Sequence, residues 1–330
     1  MKKKVLLIHT GGTIGMVRNI QNGTLKPDQF YESILKFVPE LEQIAHIEVE
    51  IPCLLDSAEI HIPHWQAIGR LIRRYQNQVQ GVVITHGTDT LAYTASALSY
   101  MLMNVPFPVI LTGAQKPLGE LRTDARNNFV NAIEMATLDI PEVAIYFDYK
   151  LMRGNRTIKS HITHFDAFSS PNYPLLGEVG LDIVIYPQNM IKPQGLFHVF
   201  DAFDASIAVL KLFPGIDIRY FNPDDQVKAV LLIAWGAGTV PTAYTQLLPQ
   251  IKKWLDAGKI VAMISETKAG CAAPQLYESG NRLLDMGVLS AGDMTFEAAL
   301  TKLMFLMAQR DNYEEIKRNF MKSLAGERSV

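Results

Sequence analysis

The sequence predicts an α/β protein of two unequal domains built on parallel sheets. Three observations carry that prediction. Short uninterrupted apolar runs alternate with longer segments of helical period; a proline-containing stretch interrupts the alternation, which then restarts; and 330 residues is about twice the length of a common domain. Strands buried on both faces read as continuous apolar runs, and the helices between them form right-handed crossovers.

In chain order, Val5–His9 is the first apolar run, and His46–Pro52 alternates as a half-buried strand does. Val82–Thr85, Val109–Thr112 and Val143–Phe147 complete a set of five strands. Helical patterns fall between them at Gln29–Val38, Trp65–Tyr75, Thr90–Met103 and Ala125–Thr137. In the last of these, Phe129, Ile133 and Ala136 form one apolar stripe. Pro187–Gly195 has two prolines, a glycine and no period, so it reads as a linker. Beyond it come strands at Ile207–Phe213, Ala229–Ala234 and Ile260–Ile264, with helices at Tyr244–Ala257 and Thr295–Ala308. The expected division is residues 1–188 as the larger domain, 189–206 as linker and 207–330 as the smaller domain.

Composition narrows the functional classes. A 48% hydrophobic and 19% charged chain can bury a large core, so disorder is excluded. The formal charge of −2 gives no electrostatic footprint for nucleic acid or an anionic membrane. Two cysteines, Cys53 and Cys271, cannot build a disulfide scaffold or a four-cysteine zinc site, and they suit a reducing compartment. The start of the chain, Lys2–Lys4 followed by Val5–Ile8, is too short in its apolar part for a secretory core. The expected address is the cytoplasm.

Ligands of open parallel sheets sit beyond the carboxyl ends of the strands. After the first strand comes His9-Thr10-Gly11-Gly12-Thr13-Ile14-Gly15, a turn that leaves the Thr13 hydroxyl at the sheet edge. Alone, it reads as a glycine-rich turn with Thr13 as a cap, and it lacks the spacing of a nucleotide loop. After Val82–Thr85 comes His86-Gly87-Thr88-Asp89-Thr90, opening a helix. Thr88 or Asp89 suits an N-cap. The same hydroxyl, carboxylate and helix N-terminus also make a seat for a zwitterion. Lys159 lies in a polar segment after the fifth strand; beside Thr88 it would supply the base that an inert threonine hydroxyl requires.

The same residues carry a family resemblance. Leu6–Gly15 (LLIHTGGTIG) and Gly81–Leu91 (GVVITHGTDTL) match both signature segments of the L-asparaginase/glutaminase family of threonine amidohydrolases, in the same order. Arg153–His161, Phe165–Asn172 and Met294–Leu303 are similar to its bacterial type I, cytoplasmic branch. The resemblance implies a larger N-terminal flavodoxin-like domain and a smaller C-terminal Rossmann-like one, with no metal or organic cofactor. It implies that Thr13 attacks the side-chain amide of L-asparagine, giving a β-aspartyl ester that water hydrolyses. Thr88, Asp89 and Lys159 would form a second triad, Asp89 meeting the substrate ammonium. Asp56, Ser57 and Ala58 would meet its α-carboxylate, Ala58 through backbone alone, and Ala114 its amide. Family members form homodimers or homotetramers.

Some type I members bind a second asparagine through a threonine before the catalytic lysine, an arginine and a cysteine. Here those places hold Ile158 and the neighbourhoods of Ile233 and Thr267, without arginine or cysteine, so no cooperative activation is expected. His61-x-x-His64 and His161-x-x-His164 lack the H-E-x-x-H pattern and read as ordinary histidines rather than metal ligands. Glu297 reads as a complement to a helix dipole. The alternatives are a glutaminase or broader amidase/esterase of the same family and, from another class, a non-catalytic amino-acid sensor. The related tRNA-dependent amidotransferase subunit is expected to carry an extra domain before the first signature.

Overall fold

A computed structural model describes residues 2–15, 32–243, 246–309 and 312–329. The chain divides into two compact units, one reaching Asp201 and one beginning at Ala202.

The first unit is built on an eight-stranded sheet. Its strands are β1 (Lys3–His9), β2 (Ala45–Glu50), β3 (Gly81–Thr85), β4 (Val109–Thr112), β5 (Val143–Phe147), β6 (Lys150–Arg153), β7 (Gly177–Val179) and β8 (Ile183–Ile185). They lie in the order β8-β7-β6-β5-β4-β3-β1-β2. The five strands β5-β4-β3-β1-β2 are parallel, and β6, β7 and β8 extend the sheet antiparallel. This is the flavodoxin-like order, with the chain reversing direction across the sheet between β1 and β3. The register pairs Leu7 with Val83 and His9 with Thr85, so the two strands end level. All five residues of β3 are buried, as the continuous run Gly81–Thr85 requires of a central strand.

One face of the sheet packs Val5, Leu7, Val83 and Ile110 against Phe129, Ala132, Ile133 and Ala136. These four face inward from the helix Ala125–Met135 and the turn that ends it, the stripe that the sequence spacing predicts. The helix expected from Trp65 begins earlier, at Ile62, because Pro63 fits a first turn and His61 caps it. His61 and His64 form a capping box, His61 N–H donating to His64 Nδ1 at 3.1 Å. The helix expected over Thr90–Met103 spans Leu91–Met101; Leu102–Met103 turn out to pair with His198–Val199 instead. Of the helix expected at Gln29–Val38, residues 32–35 are helical and 29–31 lie outside the described residues.

The segment 187–199 is tied to the first unit rather than free. Arg153 donates to the Asn189 carbonyl at 2.8 Å, Ile191 N–H donates to Glu142, and Val199 pairs with Leu102. Periodicity misses this because the ties run through backbone groups and a buried ion pair.

The second unit has a parallel sheet of β9 (Ile207–Lys211), β10 (Ala229–Ala234), β11 (Ile260–Ser265) and β12 (Leu289–Ser290). These strands lie in chain order. The parallel βα alternation is that expected of a Rossmann-like domain, but without a reversal it has no switch-point crevice. Leu247–Asp256 and Phe296–Gln309 are its longer helices, and Tyr244 and Thr245 lie outside the described residues. The second of these helices carries Lys302, completely buried and paired with an equally buried Glu327 of the C-terminal segment. Glu297 lies in the first turn of this helix, where a carboxylate complements the dipole, and burial pushes its carboxyl up from its ordinary value.

Candidate active site

The switch point between β1 and β3 gathers the sequence-predicted residues. The turn after β1 bends at Gly11 and Gly12, whose φ values of +113° and +79° exclude ordinary side chains. A Cβ on Gly12 would lie 2.5 Å from the Gly87 nitrogen, so the two signature turns touch backbone to backbone. A Cβ on Gly87 would in turn meet the Ser57 side chain at 2.8 Å. These contacts bring the segments of Thr13, Thr88 and Ser57 together one residue from each threonine. Thr90 Oγ1 closes the junction by donating to the Ser57 carbonyl at 2.6 Å.

Neither Thr88 nor Asp89 is the helix cap. The helix begins at Leu91, and its N-cap residue Thr90 makes no side-chain cap bond. Both residues instead meet Lys159, whose Nζ donates to Thr88 Oγ1 at 2.8 Å and to Asp89 Oδ1 at 2.5 Å. The Lys159 side chain is 17% exposed and that of Asp89 is 68% exposed, so the amine is enclosed while the carboxylate faces outward. Thr88 Oγ1 also lies 3.3 Å from Gln115 Oε1, to which it donates.

Lys159 reaches this place by an indirect path. Asp148 and Tyr149, both at positive φ, reverse the chain between β5 and β6 in a two-residue hairpin. After β6 a short turn, Gly154–Arg156, is buried against the start of the helix that follows Thr88, with Gly154 close to Ala95. The turn is fixed by Arg153, which forks onto the buried Glu142 at 2.6 and 2.9 Å. Ile158–Lys159 then pair with Phe168–Ser169.

The other predicted residues surround this centre. Asp56 Oδ1 accepts from the Ala58 N–H at 2.8 Å, capping the short turn Ser57–Glu59, so the Ala58 amide is engaged within its own segment. Ser57 and Ala114 are buried, and Asp56 and Ala58 are exposed. The loop of Ala114 is held by the Asp124 carboxylate, which accepts from the Gln115 and Lys116 N–H groups, and by Asn128, which donates to the Gly113 carbonyl at 3.1 Å.

Sequence reasoning missed Gln115, Asp124 and Asn128. Gln115 follows β4 at the carboxyl edge of the sheet, a position that should have drawn attention. His161 and His164 stack at 5.0 Å in an exposed loop, and among the described residues no group of three or more His, Cys, Asp or Glu is arranged to hold a metal.

Two histidines close the floor of the site. His9 Nδ1 bonds Thr85 Oγ1 at 2.7 Å, and His86 lies between Thr94 and Gly87. Burial lowers them to about 3 and about 4, so both stay neutral in the folded protein while the unfolded chain takes up protons below about 6.5. The unfolded state then binds more protons, so stability is full above pH 6.5 and falls on acidification towards the folded values. Each histidine should cost about 2 kcal/mol at pH 5, checked by urea unfolding at pH 7 and pH 5.

Two family models match the chain in succession, "Asparaginase, N-terminal" over residues 4–191 and "Glutaminase/Asparaginase C-terminal domain" over 206–320. The chain belongs to the asparaginase family. L-asparaginase 1 of Escherichia coli (strain K12) is 37% identical over 338 residues, covering 99% of this chain and 98% of its own. An L-asparaginase of Dirofilaria immitis is 35% identical over 362 residues and covers 99% of this chain, which spans 60% of that relative's length. Among solved structures, the thermostable L-asparaginase from Thermococcus kodakarensis superposes with a TM-score of 0.92 at 33% identity, over 99% of both chains. Asparaginase family membership accounts for both units, and the switch-point cluster falls within the first family match.

Proposed function

We propose that this chain is an L-asparaginase, converting L-asparagine and water to L-aspartate and ammonia. The observation that carries the reading is Lys159 bridging Thr88 Oγ1 and Asp89 Oδ1 beside the turn that bears Thr13. A hydroxyl, an enclosed amine and an outward carboxylate at one switch point are the parts that amide hydrolysis by a weak nucleophile requires.

In this reading the Thr13 hydroxyl attacks the side-chain amide carbon, the C–N bond breaks, and ammonia leaves with the proton that Thr13 gives up. Water then cleaves the β-aspartyl ester and restores Thr13. Thr88 and Lys159 move the proton, and the Thr88 N–H holds the oxyanion. Asp89 takes the α-ammonium, Asp56, Ser57 and Ala58 the α-carboxylate, and Ala114 the amide through its backbone. The two free cysteines and the absence, among the described residues, of a helix long and apolar enough to cross a membrane support a cytoplasmic address. The proposed assembly is a homodimer or homotetramer.

Purified protein should release ammonia from L-asparagine, and faster than from L-glutamine. Faster release from glutamine would make it a glutaminase. Asparagine binding without ammonia would make it a sensor and overturn the reading.

A further inference from the structure

Beneath the site runs a buried chain of hydrogen bonds whose every proton has one allowed position. Trp65 Nε1 contacts Thr94 Oγ1 at 3.0 Å, Thr94 Oγ1 contacts His86 Nε2 at 2.9 Å, and His86 Nδ1 contacts the Gly87 carbonyl at 2.7 Å. Thr94 and His86 are 0% and 1% exposed and Trp65 is 6% exposed, so the chain is shielded from bulk solvent.

The Gly87 carbonyl can only accept, so His86 Nδ1 carries the hydrogen and donates to it. In the neutral ring Nε2 is then unprotonated and accepts the Thr94 hydroxyl proton. An indole N–H can only donate, so the Thr94 oxygen in turn accepts from Trp65. The neutral imidazole that this requires is the one burial favours, the ring being held down to about 4.

The Gly87 carbonyl and the Thr88 N–H belong to one planar trans peptide and point in opposite directions. Holding the carbonyl towards His86 turns the N–H away from it. Glycine before this peptide leaves the plane free to flip at little cost, which makes an external hold effective. Among the described residues the Thr88 N–H meets no acceptor. We propose that Trp65, Thr94 and His86 are positioning residues that lock the Gly87–Thr88 peptide so that the Thr88 N–H faces the reacting oxygen. The lock rests on the reading of that N–H as the oxyanion donor.

The test compares Thr94→Val and Thr94→Ser with the wild-type chain. Valine keeps the shape and deletes the hydroxyl that holds His86 Nε2, and with it the orientation of the ring; serine keeps that hydroxyl. Thr94→Val should lower kcat about tenfold, with KM within about twofold, because one misdirected oxyanion donor affects the transition state more than the bound substrate. Thr94→Ser should stay within about threefold of wild type in kcat. A Thr94→Val enzyme with wild-type kcat, or a Thr94→Ser enzyme no better than Thr94→Val, overturns the lock.

If Thr94→Val does not fold, His86→Asn and His86→Gln decide. The asparagine amide stands where Nδ1 stood and the glutamine amide where Nε2 stood, so asparagine should be about tenfold faster. Equal rates overturn the lock. Nitrogen NMR of the His86 ring reads the tautomer without any turnover. An Nδ1–H ring in a wild-type chain that hydrolyses neither asparagine nor glutamine would sink the activity reading alone. An Nε2–H ring would sink the lock whatever the activity.

Discussion

Thr88→Val should lower kcat/KM for L-asparagine by about a thousandfold or more, a loss of about 4 kcal/mol of transition-state stabilisation. Valine nearly matches threonine in shape, so the half-buried position is refilled and only the hydroxyl disappears. With it go the bond from Lys159 at 2.8 Å and the bond to Gln115. The amine keeps its pair with Asp89 but no longer reaches an O–H whose proton it can move. Folding should change little, by about 0.5 kcal/mol or less, since no buried charge loses its partner. Steady-state ammonia release together with thermal unfolding checks both halves. Thr13→Ala should lose a comparable factor, because in the proposed mechanism it removes the attacking oxygen itself. Activity within tenfold of wild type in either variant would overturn the assignment of that residue.

The second large effect concerns stability. Glu327→Ala should destabilise the C-terminal unit by about 3–5 kcal/mol, because it strands a buried ammonium. Lys302 and Glu327 are both completely buried. The amine is further held by the Phe320 carbonyl at 2.9 Å and by that of Lys322, and the carboxylate accepts from the Leu324 and Ala325 N–H groups at 3.0 and 2.7 Å. Burial pulls the Lys302 ammonium down from its ordinary value, and the neighbouring Glu327 opposes that pull. Removing the carboxylate leaves desolvation unopposed and also frees two backbone donors. Urea unfolding followed by tryptophan fluorescence suits the test, because Trp235 and Trp254 of the three tryptophans lie in this unit. The double variant Lys302→Met with Glu327→Leu should recover much of the loss. A single variant as stable as wild type would show that the pair contributes nothing.

The parts of the fold that rest on apolar runs were legible. β1, β3, β4 and β5 are buried on both faces, so their sequences are continuous in Val, Ile and Leu, and their ends put Thr13 and Thr88 at one sheet edge. Lys159 was different. Its position depends on a hairpin whose turn, Asp148-Tyr149, lacks the Asn-Gly or Asp-Gly signal of such turns. Only the family resemblance joined it to Thr88. The peptide lock was illegible for another reason: Trp65 and Thr94 sit on buried helix faces, where periodicity counts them as core and says nothing of a proton's direction.

The hairpin has a mechanical consequence. Both threonines stand at the ends of strands in the rigid parallel layer, whereas the lysine is carried on a separate arm: the antiparallel return, the buried Arg153–Glu142 fork and five residues beyond it. The lysine and the two threonines therefore reach the switch point by different routes from one sheet. A substitution in the hairpin or the fork acts on Thr88 and Asp89 through the Lys159 amine, without touching the residues that end β1 and β3.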